Sequence, residues 1–98
     1  MIKPLLQNPS HPGEVLKELY LLPLDLSAIA LAKRLLVPRT RVERLVRGET
    51  ALTADTAMRL AKFFGTTPEY WMNLQRSWDL ARVRETTDVS DIKPMQAA

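Results

Sequence analysis

The sequence predicts an all-α domain of five short helices followed by a short irregular tail. Three observations carry that prediction. Apolar residues recur at helical spacing, and no run of strand alternation of useful length occurs. Helix-starting and helix-ending residues divide the chain at regular intervals: Ser27, Pro38, Gly48, Thr53, Gly65 and Thr67-Pro68. The 98 residues, 46% of them hydrophobic, suffice for one core and leave no room for a second domain.

Helix one is expected from residue 12 to about 21. Pro12 suits a first helical position, Ser10 or His11 stands just before it, and Val15, Leu16, Leu19 and Tyr20 follow at helical spacing. Pro23 and Asp25 make a connection, after which Ser27 caps a second helix. There Leu31 and Leu35 lie one turn apart, and Ala28 and Ala32 permit close helix contact. Pro38 stops this helix and opens a third that runs to Arg47 and ends at Gly48. The fourth begins at Thr53, buries Ala54, Ala57, Met58, Ala61 and Phe64, and ends at Gly65. Thr67-Pro68-Glu69 starts the fifth with a cap, a first-turn proline and an acid at the positive end of the helix dipole. Its aromatic face, Tyr70, Trp71 and Trp78, suits either the core or a homodimer interface. The pattern dissolves near Thr86, and Ile92-Lys93-Pro94-Met95-Gln96 could form at most a brief strand or docked tail. The expected division is a domain over 1–85 and a tail over 86–98.

Composition narrows the function. Without cysteine, disulfides, thiolate metal sites and cysteine nucleophiles are excluded, and a single histidine leaves little for zinc or a histidine-based triad. His11 and Glu14 are two ligands where zinc needs more, so helix entry is the better reading. No enzyme, metal or cofactor is expected. The segment Met1-Ile2-Lys3-Pro4-Leu5-Leu6 is too short and too soon interrupted to be a secretory signal. No apolar run reaches the ~18 residues of a membrane span, so a cytoplasmic protein is expected.

The charge is placed rather than spread. The segment LAKRLLVPRTRVERLVRG holds six of the fourteen basic residues against Glu43 alone, whereas the whole chain carries only +3. A local basic surface on a helical unit suits a polyanion, because neutralising phosphates releases condensed counterions. On the third helix Val42, Leu45 and Val46 cluster within about 100° and face inward, while Thr40, Glu43, Arg44 and Arg47 face outward. Arg39 and Arg41 flank that stripe. A guanidinium donates two hydrogen bonds to guanine O6 and N7, so this surface suits the major groove. Glu43, spaced to pair with Arg39 and with Arg47, holds arginines in place as readily as it meets a base.

Leu26-Ser27, Leu31-Ala32, the Leu35-Leu36-Val37 turn, Val42, Leu45 and Gly48 resemble the helix-turn-helix of the Cro and phage-repressor (XRE-like) type, placing the motif at about 27–47 of a lambda-repressor-like fold. The resemblance extends over roughly residues 10 to 82. His11-Pro12-Gly13-Glu14, Val37-Pro38-Arg39, Thr53-Ala54-Asp55-Thr56-Ala57, Arg59-Leu60-Ala61, Phe63-Phe64-Gly65-Thr66, Asn73-Leu74-Gln75 and Asp79-Leu80 look like HigA-type, also called VapI-type, antitoxins. Two features depart from that pattern: Leu36 stands where the family commonly has glycine, and the tail after Arg84 is little like it. A left-handed backbone at Leu36 would cost ~1–2 kcal/mol.

The resemblance implies a homodimeric, sequence-specific DNA-binding antitoxin that represses its own operon and neutralises an RNA-cleaving, HigB-like toxin. Double-stranded operator DNA would meet Arg39, Thr40, Arg41, Glu43, Arg44 and Arg47. Phosphates would meet Ser27 with the N-terminus of its helix, and more weakly Lys33 and Thr50. Alternatives are a stand-alone repressor and a protein-interaction inhibitor whose basic face meets an acidic toxin.

Overall fold

The computed structural model describes residues 9–96, so the readings of the Met1–Leu6 segment and of the last two residues lie outside the described part. Five helical segments pack around one core, and among the described residues there is no strand. Helix α1 is α-helical over Pro12–Val15 and π-helical over Leu16–Leu21; α2 spans Ala28–Leu35, α3 Arg39–Val46, α4 Ala54–Phe64 and α5 Pro68–Thr86.

His11 caps α1: its Nδ1 accepts from the Gly13 N–H at 2.9 Å. Gly13 is required for packing, because a Cβ there would lie 1.7 Å from the Leu45 carbonyl oxygen, where α1 rests on the end of α3. The expected stripe on α1 shifts by two residues: Leu19 is 37% exposed, and Leu21 is buried with Leu16. In an α-helix residues five apart point about 140° away from each other. The π-helical turns, with i→i−5 bonds such as Leu22 N–H to Lys17 O at 3.0 Å, bring Leu16 and Leu21 to one face.

Ser27, Thr53 and Thr67 cap their helices as the sequence indicates, accepting from Ala30, Thr56 and Tyr70 N–H groups at 3.0, 3.3 and 3.1 Å. Pro38 stands one position earlier than expected. It is the N-cap of α3, with ψ at 143°, and the helix proper starts at Arg39. Leu36 is left-handed, with φ at 61°, and its turn is closed by Val37 N–H to Ala32 O at 3.1 Å and Leu36 N–H to Lys33 O at 3.3 Å. The turn keeps the shape that glycine favours, with a leucine in it.

The core joins Leu16 and Leu21 to Leu31, Ala32, Leu35, Val42, Leu45, Leu52, Ala57, Leu60, Ala61 and Trp71. The stripe of α4 differs from expectation: Ala57, Leu60 and Ala61 are buried, whereas Met58 is 62% exposed and Ala54 lies at the surface. Residues 57, 60, 61 and 64 share one face at the three- and four-residue spacing; Met58 falls on its flank and Ala54 sits in the first turn, beyond the core. Trp71 is fully buried, packs on Tyr20 at 5.0 Å and donates its indole N–H to Thr66 Oγ1 at 2.7 Å. Tyr20 donates to the Tyr70 hydroxyl at 3.1 Å, and desolvation followed by that bond raises its pKa to about 12.

Helix α5 runs two residues further than Arg84, and from Arg82 to Gln96 every residue is exposed. The tail is neither a strand nor docked. Among the described residues it holds only local bonds, such as Ser90 N–H to Asp88 Oδ1 at 2.9 Å and Ile92 N–H to Val89 O at 3.0 Å.

Candidate nucleic-acid interface

The short turn at Leu36 and Val37 sets α3 across α2, with Val42 and Leu45 in the core. Val46 packs partly against the core, and the remaining positions of α3 are thereby turned outward. Arg39, Thr40, Arg41, Arg44 and Arg47 are all exposed, and Glu43 is partly covered. A groove of about 390 Å³ between α3 and the start of α4 brings together Thr40, Arg41, Arg44 and Thr50, with Pro38 and Thr53 on its walls. Arg39 and Glu43 lie outside it, as does Arg47, which lines a hollow against His11, Glu14, Lys17 and Glu18 of α1. Lys33 is exposed in the last turn of α2 and joins neither group.

Ser27 Oγ is already the cap acceptor of α2, so its O–H remains the donor for an anion there. The first N–H groups of α2 carry the positive end of the helix dipole.

The expected ion pairs form in part. Glu43 Oε1 lies 3.9 Å from Arg39 Nε, but Arg47 pairs with Glu49 at 3.3 Å and not with Glu43. Glu49 also lies 3.8 Å from Arg44. The backbone explains this choice. Gly48, with φ at 75°, ends α3 in a paired turn, Gly48 N–H to Leu45 O and Glu49 N–H to Arg44 O, both 2.9 Å, which folds residue 49 back along the helix.

Three residues that sequence reasoning did not assign to the site shape it: Glu49, Asp55 and Arg59. Asp55 Oδ2 accepts from Arg41 and, at 2.9 Å, from Arg59, which itself donates to the Leu35 carbonyl at 2.8 Å. Arg59 and then Arg41 hold the Asp55 carboxyl below the usual carboxylate range. The i,i+4 spacing of Asp55 and Arg59 was a readable signal; the reach from Arg41 on another helix was not.

The groove loop is fastened from behind. Gln75 of α5, buried, accepts from the Leu52 N–H at 2.7 Å and donates to Asp79 Oδ1 at 2.8 Å. His11 meets Trp78 edge to face at 5.4 Å. Burial pushes the His11 pKa below its ordinary 6.5, opposed by the Thr50 backbone and by the charges of Asp79 and Glu14.

A capped helix crossing a second through a tight turn, with arginines on the free face of the second, is the helix-turn-helix arrangement. The helix-turn-helix family model matches residues 16–71. Virulence-associated protein I of Dichelobacter nodosus is 50% identical over 70 residues, which cover 71% of this chain and 65% of that protein, just short of two thirds. Antitoxin HigA-1 of Vibrio cholerae is 37% identical over 91 residues, covering 91% of this chain and 86% of that protein. The structure of PA4674 from Pseudomonas aeruginosa, in complex with its operator DNA, superposes with a TM-score of 0.85 at 36% identity. It covers 90% of this chain and 98% of that one. The chain therefore belongs to the helix-turn-helix family and, within it, to the HigA/VapI-type antitoxins. No helix among the described residues is long and apolar enough to cross a membrane.

Proposed function

We propose that this protein is an operator-binding antitoxin: a homodimer that represses its own operon and neutralises an RNA-cleaving toxin. One observation carries the DNA half, the arginine face of α3. Arg44 stands beside the groove with Thr40, Arg41 and Thr50, and no hydrogen bond among the described residues uses its terminal nitrogens. Arg39, Arg41, Arg44 and Arg47 are its base-reading donors, with Thr40 and Glu43 beside them. Ser27, the N-terminus of α2, Lys33 and Thr50 serve phosphates. The operator complex of PA4674, a relative of the same fold, supports this reading.

A helix-turn-helix reads only a few base pairs, so specificity needs two copies with half-sites about 34–36 Å apart. The exposed Leu80 and Val83 on the free half of α5 give a second copy an apolar face to cover. Antitoxin action follows from the family of HigA-1. The toxin docks on preformed surface: among the described residues, helices follow one another from Pro12 to Thr86 with only short connections between them. The exposed Lys17 and Glu18 of α1 are free for it. The test is to co-express the chain with the toxin encoded beside it and to titrate a duplex from their promoter with chain and complex. Growth rescue and promoter binding by both are expected. Promoter binding without rescue would leave a repressor and remove the antitoxin role.

A further inference from the structure

Each of the four arginines on the free face of α3 has a carboxylate within reach, from α3 itself, from the loop after it or from the start of α4. Arg39 pairs with Glu43 at 3.9 Å, Arg44 and Arg47 with Glu49 at 3.8 and 3.3 Å, and Arg41 with Asp55. Stability does not explain the arrangement. The Arg44, Arg47 and Glu49 side chains are 59%, 60% and 46% exposed, and such solvent-screened pairs contribute little to folding. Glu49 also follows the C-terminus of α3, the negative end of the helix dipole, where a carboxylate is disfavoured. The turn at Gly48 nevertheless aims it at two arginines of the reading face.

On random DNA the chief reward for an arginine is a phosphate. An arginine already facing a carboxylate gains little by exchanging one anion for another. A guanine edge is a different acceptor, neutral and bidentate, and the terminal nitrogens of Arg44 lie beyond the Nε that faces Glu49. We infer that Glu49 is a specificity-determining residue, an internal stand-in for phosphate that weakens binding of Arg44 and Arg47 to random DNA more than to the operator. Asp55 acts likewise on Arg41. The inference rests on the DNA-binding reading above and deepens it.

The test uses the full chain, wild type and Glu49→Gln, against two labelled duplexes. One is the tightest duplex selected by the wild type from a random library; the other is its scramble. Titrations run from roughly 50 to 200 mM salt. Glu49→Gln should bind the scramble roughly fivefold tighter, the worth of one solvent-screened unit charge at about 4 Å. Its salt slope on the scramble should steepen by about one, as for one further phosphate neutralised. The selected duplex should change less, so discrimination falls, while Glu49→Asp keeps it. Thermal melting should be unmoved; a merely structural role would lower it and weaken both duplexes together. Unchanged discrimination in Glu49→Gln overturns the inference. So does a loss confined to the selected duplex, which would make Glu49 itself a reader of a cytosine amine. A wild type that selects no duplex over its scramble overturns the DNA-reading assignment itself, a distinguishable result.

Discussion

Helices α3 and α5 divide their residues in opposite ways. In α3, eight residues suffice for two clean faces: Val42 and Leu45 are buried and the arginines are outside. In α5, nineteen residues bury only Trp71 and Gln75, and apolar Met72, Leu80 and Val83 remain exposed. The difference is one of partners. Helix α3 packs wholly against its own chain, so its apolar stripe names its core. Helix α5 outruns that core: its first turns carry the fully buried Trp71, while its last turns extend into solvent.

The sharpest way to break this comparison is to truncate the two tryptophans of α5. Trp71→Ala should cost ~3–5 kcal/mol in chemical denaturation, as removal of a fully buried aromatic does. Trp78→Ala, at a half-buried position that meets His11 edge to face under the Arg82 guanidinium 5.3 Å above its ring, should leave a folded chain and weaken self-association in sedimentation. Equal losses in the monomer would erase the distinction between the two halves of α5. Next in size is Gly13→Ala, which drives a Cβ into the Leu45 carbonyl where α1 seats the end of α3. A cost of about 3 kcal/mol is expected, at the top of the range for overpacking.

A smaller effect has the opposite sign. Leu36→Gly removes a side chain that is 82% exposed and relieves a left-handed leucine, so it should stabilise by about 1 kcal/mol in thermal melts. Loss of stability there would mean that the leucine packs on something. The smallest effect comes from His11, the cap of α1, which meets Trp78 of α5 edge to face. Its lowered pKa means that the unfolded chain takes up the proton first. Its contribution to stability is therefore complete above the ordinary 6.5 and is lost as pH falls through the lowered folded value. Melting temperature followed from pH 8 to 5 should drop more in the wild type than in His11→Gln.

The α3 half was legible in the sequence because each signal was local: a cap at Ser27, a proline at 38, a glycine at 48 and an apolar stripe between. The Ser27, Thr53 and Thr67 caps were legible for the same reason. Misreadings arose where a longer-range contact decided. The π-helical turns of α1 serve Leu21 against a core assembled from four other helices, which α-helical spacing cannot anticipate. Met58 is apolar and so reads as inward, although its neighbours Ala57 and Ala61 define the face. In the site, spacing pairs Glu43 with Arg47, but the glycine turn brings Glu49 closer. The Arg41 to Asp55 pair joins helices that no local pattern connects.

The central claim is that the exposed face of α3 reads base edges, and Arg44 stands in the groove at its middle. Its most direct test is Arg44→Ala in a titration of the selected duplex and a scrambled one at fixed salt. Affinity for the selected duplex should fall by ~1–3 kcal/mol with relaxed preference at one base pair, while the scramble changes little and the melting temperature holds. Equal losses on both duplexes would reassign Arg44 to phosphate contact. Unchanged affinity for both would contradict the claim.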